Sequence, residues 1–206
     1  MIETLRSSLF KTYCMGLGTA RKTQLKNDKL GKSKQAYVND YMLWGDKHEV
    51  NGIAKWVSIH KKMPKKILDE QESIKHLNWH EGMNLSTTPD GIAEDCLIEV
   101  KCSALGKKTY PEFPEEHYWQ VYGQQMVMNC EGYEIKKTHL VNWTPKHTKI
   151  WEIERNLNFE KYMSGLLQEY INCLISDKDI VPKPKPYSGD HKIKLIYNNG
   201  ETHGKS

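Results

Sequence analysis

The sequence predicts a mixed α/β domain, a small mixed sheet flanked by helices. Three observations carry that expectation. Apolar residues recur at three- to four-residue spacing between Gln35 and Ile59, LIEVKC at 97–102 alternates, and the run from Phe159 to Ile175 is the cleanest amphipathic pattern in the chain. The order helix, strands, helix, hairpin, helix then packs helices against one sheet. Three parts are expected: a basic N-terminal segment at 1–35, a folded domain at 36–176 and a flexible C-terminal tail at 177–206.

Residues 1–35 are rich in Lys, Gly and Thr and show little periodicity. In the helix that follows, Val38, Met42, Gly45, Ile53, Trp56 and Val57 share a face. A strand is expected near Ser73–Leu77. TTPDG at 87–91 reads as a turn, since Pro pre-sets φ and Gly tolerates positive φ. In the strand after it, Ile98, Val100 and Cys102 point one way and Leu97, Glu99 and Lys101 the other. Pro111 and Pro114 introduce a helix over about Glu115–Asn129, with Trp119, Tyr122 and Met126 as its packing stripe. THLVNWTP and HTKIWEIE form a hairpin around Pro145 to His147. The last helix packs through Phe159, Tyr162, Met163, Leu166, Tyr170, Ile171 and Leu174. Beyond Ser176 the Lys, Pro, Gly and Asn content reads as a loosely attached tail, and no internal repeat occurs.

At 206 residues, 38% hydrophobic and 27% charged, the chain suits one packed domain with a tail. No stretch approaches the roughly 18–20 consecutive apolar residues of a membrane span. MIETLRSSLFKTYCMG lacks the apolar core of a secretory signal. Five scattered cysteines (Cys14, Cys96, Cys102, Cys130, Cys173) with no CxxC pair argue for a reducing, intracellular compartment. The net charge of +4 hides an asymmetry: residues 1–66 hold 14 Lys/Arg against 5 Asp/Glu, the remainder 16 against 21. This basic third, KKMPKK at 61–66 included, suits either a polyanion or plain solvation.

The chemistry concentrates in TTPDGIAEDCLIEVKCS at 87–103. Glu99 and Lys101 project in parallel from one strand face, roughly 6.5–7 Å apart along the strand. If the segment of Asp90 pairs with that strand, Asp90 comes alongside Glu99. Two carboxylates then converge on a hard divalent cation, with Mg2+ the default and Mn2+ its substitute. A lysine ammonium beside a metal-bound water favours hydroxide and holds it for attack on a phosphodiester. Metal and lysine charge together offset the negative charge of the transition state. An Asp in such a turn is commonly just a turn residue, and Glu-x-Lys commonly a surface ion pair. A polar face on an otherwise strongly apolar strand favours a site. Glu49, the polar part of WGDKHEVNGIAKW, offers a third carboxylate. Gln120 and Gln124 lie one turn apart, so their amides share a helix face and suit a phosphate or a water.

With WG-x3-E at 44–49, PDG at 89–91, IEVKC at 98–102, Y-x-QV at 118–121, IWEIER closing the hairpin and YM at 162–163, residues 40–175 resemble the lambda-type phage exonucleases. These form the phage-recombinase (YqaJ-like) branch of the PD-(D/E)xK nucleases. The resemblance implies a restriction-endonuclease-like mixed sheet flanked by helices. It also implies metal ligands at Asp90, Glu99 and the Val100 carbonyl, and a water-orienting Lys101. Glu49 would serve the second metal or its waters. Gln120 would lie near the terminal phosphate and Thr88 in the small-hydroxyl position before Pro89. Gln124, Lys61 and Lys62 are the further DNA- or phosphate-binding candidates.

Members digest linear duplex DNA from 5′ ends, often as ring-shaped trimers, and serve recombination or repair beside a single-strand annealing protein. Expected partners are therefore duplex ends, such an annealing protein and two further copies of the chain, with no membrane. A phage or viral origin places the chain in the host cytoplasm or nucleoid, or the nucleus of a eukaryote. The pattern departs at the 5′-phosphate grip. RSS at 6–8 and TARKT at 19–23 supply Arg6 and Arg21, and neither fits well. That departure motivates a rival reading, an endonuclease or a single-strand or flap nuclease. A catalytically inactive DNA-binding module is the non-enzymatic rival.

His76 and His80 invite a zinc reading, but the His-Glu-x-x-His order is absent and turn or surface histidines are expected. The late cysteine cluster that holds iron–sulphur in some related nucleases is missing. Trp143 and Trp151 suit core packing more than base stacking.

Overall fold

The computed structural model describes residues 3–15, 19–32, 40–68, 72–103, 109–176 and 184–199. In chain order the elements are β1 (Thr4–Arg6), α1 (Phe10–Met15), α2 (Thr19–Lys29), α3 (Asp40–His60), β2 (Lys66–Ile67), β3 (Ile74–His80), β4 (Met83–Thr87) and β5 (Gly91–Ala93). There follow β6 (Cys96–Cys102), α4 (Tyr118–Cys130), β7 (Lys137–Trp143), β8 (Thr148–Glu154), α5 (Leu157–Ile175) and β9 (Ile193–Asn198). Single-turn 3-10 segments precede α1 and α4.

The main sheet has six strands in the order β2-β5-β6-β7-β8-β9. Only the β6–β7 pair is parallel, and α4 makes the crossover that a parallel connection needs. A second, three-stranded sheet runs β1-β4-β3. Both faces of the main sheet are covered. On one, Ile53 and Trp56 of α3 pack on Ile98, Val100, Val141 and Ile150. On the other, α1, α4 and α5 pack on Leu140, Trp151 and Ile153. Because β6 is covered on both faces, it reads as an almost continuous apolar run. Glu99 and Lys101 are its polar interruptions.

The expected helices, the strand after the Pro-Asp-Gly turn and the hairpin all occur. Asn156 caps α5, its Oδ1 accepting from the Phe159 N–H at 3.0 Å. The expected start of α3 at Gln35, with Val38, lies outside the described residues. Met42, placed on the packing face by its spacing, is exposed.

Two boundaries need correction. The N-terminal segment is no separate unit. β1 pairs in parallel with β4, and Leu5, Phe10, Tyr13, Cys14 and Leu25 are buried in the same core as α4 and α5. A Cβ at Gly123 would come within 2.6 Å of Phe10, so only glycine lets α4 approach that ring so closely. Nor is the whole C-terminal stretch a loose tail. Ile193–Asn198 forms edge strand β9, antiparallel to β8, while 177–183 and 200–206 lie outside the described residues.

Candidate active site

The β5–β6 hairpin brings the carboxylates together. Gly91 pairs with Ile98, which carries the preceding Asp90 beside the middle of β6. There the Val100 N–H donates to Asp90 Oδ2 at 2.5 Å. The tight turn is what lets a residue ten positions upstream bond to the strand's own backbone.

Glu99 projects to the α4 side and is 2% exposed. A buried carboxylate requires donors. It has three: Lys101 Nζ and Gln120 Nε2 each donate to Oε1 at 2.6 Å, and Gln124 Nε2 donates to Oε2 at 2.6 Å. The one-turn spacing of Gln120 and Gln124 thus aims both amides at a single carboxylate. Lys101 is 26% exposed at its side chain, so its head reaches the site mouth while Glu99 stays beneath.

The electrostatics follow from this crowding. Burial, then the like charges of Glu99 and Glu49, push the Asp90 carboxyl well above the usual range; Lys101 and the Val100 N–H act the other way. For Lys101, burial alone lowers the pKa, but Glu99, Asp90 and Glu49 together outweigh it and raise the net value. Lys101 is therefore a fixed ammonium at neutral pH. It supplies positive charge and hydrogen-bond donors rather than proton abstraction.

Glu49 lies half-buried on α3, near enough for its charge to act on Asp90, Lys101 and Cys102. The Cys102 thiol is pushed up to about 12 by burial and then by Glu49 and Asp90. Gly52 sets the depth of α3, since a Cβ there would collide with Val100 Cγ1.

Two residues that the sequence did not single out complete the surroundings. Asn142 ties the end of β6 in place: its Nδ2 donates to the Lys101 carbonyl at 2.8 Å and to Ser103 Oγ at 3.1 Å, and its Oδ1 accepts from Tyr110 N–H at 2.7 Å. His117, at the entry to α4, has a buried Nε2 without a hydrogen-bond partner among the described residues. Burial, then Lys101 and Lys11, lowers its pKa to about 4, so it is neutral. Nothing in an isolated Asn within a strand or a His before a helix marks either residue.

The other expected residues are dispersed. Thr88 is half-buried beside Pro89, between β4 and the turn. Gln124 is fully buried with its amide donated to Glu99, which corrects its expected role as a phosphate contact. Lys61 and Lys62 follow the C-terminus of α3. At 1.5 Å per helical residue they lie about 16 Å or more beyond Glu49. Lys62 pairs loosely with Glu94, at 3.9 Å. Arg6 is exposed on β1, and the side chain of Arg21 lies outside the described residues. His76 and His80 lie half-buried on β3, not in a turn, and face Glu131 and Asn172 separately. Trp151 is in the core, whereas Trp143 is half-buried and stacks near Trp44 and His48 at 6.0 and 5.7 Å between ring centroids.

Asp90, Glu99 and the nearby Val100 backbone form a hard, oxygen-rich donor set. Among the described residues no group of three or more His, Cys, Asp or Glu is arranged to hold a metal ion. Two carboxylates with open positions fit Mg2+, which keeps several waters, better than a softer or fully enclosed ion.

The architecture matches solved exonucleases. An alkaline exonuclease from Laribacter hongkongensis superposes with a TM-score of 0.65 at 17% identity, over 84% of this chain and 88% of that one. A phage-related exonuclease from Haemophilus somnus 129PT gives 0.59 at 15% identity, over 84% and 96%. The chain shares the fold of these two solved structures. The restriction-endonuclease-like sheet expected from the sequence is thereby shown. By sequence, no protein-family model and no curated protein matches the chain. No helix among the described residues is long and apolar enough to cross a membrane.

Proposed function

We propose that the chain is a Mg2+-dependent deoxyribonuclease that hydrolyses phosphodiester bonds of linear duplex DNA from its ends, in the 5′ to 3′ direction. The observation that carries this reading is the meeting of Asp90, Glu99 and Lys101 on the β5–β6 hairpin. A protein without catalysis has no need for carboxylates held together at such electrostatic cost.

In this reading Asp90, Glu99 and the Val100 carbonyl hold the cation, with Glu49 binding a second ion or its waters. The cation supplies a lowered water pKa and a counter-charge for the transition state. Lys101 offers its ammonium to the attacking oxygen and the scissile phosphate, where a preorganised charge acts without reorganisation. Gln120, half-exposed beside the site, donates its amide to Glu99 and helps hold that carboxylate. Asn142 holds the Lys101 backbone steady during the step.

The wider setting rests on the family resemblance: Mn2+ as substitute cofactor, an annealing protein as partner, a homotrimer, a role in recombination or repair, and an intracellular location. Incubation with Mg2+ and linear duplex tests the core claim. Loss of the duplex that stops with chelator and with Asp90→Ala supports it. Absence of metal-dependent cleavage of any DNA sinks it.

A further inference from the structure

α4 carries three glutamines, and burial separates their roles. Gln120 is half-exposed, whereas Gln124 and Gln125 are 0% exposed. Gln125 is architectural: its Nε2 donates to Thr138 Oγ1 at 3.0 Å and to the Ile153 carbonyl at 3.2 Å, joining α4 to β7 and β8. Gln124 makes no such link to the sheet backbone. Its Nε2 is donated to Glu99 Oε2 at 2.6 Å; its Oε1, like that of Gln125, is buried with no partner among the described residues, so what sets Gln124 apart is the group its amide holds.

A buried amide with an orphaned oxygen is costly wherever it sits in a helix packed into the core. A leucine or methionine would suit the packing better. The orientation is also fixed, because turning the amide would set its oxygen against a carboxylate oxygen. The local cost of Gln124 is matched by one visible consequence, the placement of Glu99.

That placement is specific. A carboxylate has about four acceptor directions. Lys101 and Gln120 occupy two on Oε1, and Gln124 occupies one on Oε2. The direction left open is on Oε2, the oxygen that Gln124 holds.

We propose that Gln124 is a positioning residue that fixes the Glu99 carboxylate so that its free acceptor direction receives the divalent cation. Gln124 meets neither DNA nor metal; it acts through Glu99. This rests on the nuclease reading above. Outer partners of metal ligands typically contribute 10–100-fold to metal affinity or activity.

The test compares wild type with Gln124→Met, of similar volume and apolar, and with Gln120→Met. Mn2+ affinity is measured by titration calorimetry without DNA, and kcat and KM for duplex are measured separately. Gln124→Met is expected to weaken Mn2+ binding about tenfold and lower kcat, with KM for DNA unchanged and lost rate partly restored by excess Mn2+. Gln120→Met is expected to weaken Mn2+ less, because Lys101 still holds Oε1. If Gln124→Met binds Mn2+ within twofold of wild type, the proposal is wrong. A raised KM with unchanged Mn2+ affinity also overturns it, by making Gln124 a DNA-binding residue. Gln124→Asn gives a second reading should the methionine variant fail to fold. It retains an amide too short to reach, and the same two outcomes apply. If wild type binds no Mn2+ and cleaves no DNA, the nuclease reading fails first, which is a distinct result.

Discussion

Gly52 of α3 rests directly on Val100 of β6, with no room between them for a methyl group. This approach sets how near Glu49, one turn earlier on α3, comes to Asp90. Overpacking such a contact costs about 1–3 kcal/mol. Gly52→Val should therefore lower the melting temperature, by about 2–4 °C per kcal/mol in a chain of this size. It should also reduce DNA cleavage at least tenfold, because α3 moves outward with Glu49. Melting and cleavage measured on the same sample check both; full activity would show that the position of Glu49 does not matter.

Asp90→Asn should separate stability from function. In the fold the Asp90 carboxylate is disfavoured by burial and by Glu99 and Glu49, so its pKa is raised. At neutral pH its charge therefore opposes folding. The amide keeps an acceptor for the Val100 N–H and removes that charge. The variant should be inactive yet melt a few degrees higher than wild type in chelator, and Mn2+ should no longer raise its melting point. A lower melting point in chelator would contradict the electrostatic account.

His139 should make the fold acid-sensitive. It is buried, accepting from Trp56 Nε1 at 2.8 Å and facing Glu152 Oε2 at 3.1 Å through Nε2. Burial is the largest influence and lowers its pKa to about 4, with Glu152 opposing. An unfolded histidine titrates near 6.5. Between these values the unfolded chain binds more protons, so stability is full above about pH 6.5 and falls as pH drops toward 4. The loss is about 3 kcal/mol for a group shifted this far. Urea unfolding at pH 7, 5.5 and 4.5 should show the decline, and His139→Gln should flatten it. Part of the slope should remain, because His117 is held near the same value. Parallel slopes for variant and wild type would refute the assignment.

Lys61 and Lys62 stand beyond the far end of α3 from Glu49. Replacing both by alanine should leave kcat unchanged, raise KM for DNA at moderate salt and make the salt dependence shallower by up to about one unit per lost phosphate contact. Binding measured across a salt series decides it. An unchanged slope would remove these lysines from the interface.

The strand LIEVKC was legible because alternation on an apolar background fixes both its faces, and Asp90 followed from the turn chemistry next to it. The pairing of Gln120 with Gln124 was legible only as a shared helix face. Which group they meet depends on how α4 docks on β6, a tertiary fact that spacing does not carry. β1 escaped notice because a three-residue strand has too little pattern, and its partner Asn84–Ser86 lies about 80 residues away. β9 was hidden by its Lys- and Pro-rich surroundings, although IKLIY carries β-branched residues suited to an edge strand. Asn142 and His117 gave no signal, since their importance comes only from what lies beside them.

The most direct test uses linear duplex labelled at either the 5′ or the 3′ end, with covalently closed duplex beside it, incubated with Mg2+ and wild type, Asp90→Ala or Lys101→Ala. The account predicts progressive loss of linear duplex from its 5′ ends, an intact circle and inactivity in both variants. Nicking of the circle would make the protein an endonuclease. Cleavage that persists in both variants, or none by wild type, would contradict the assignment of Asp90, Glu99 and Lys101 as the catalytic centre.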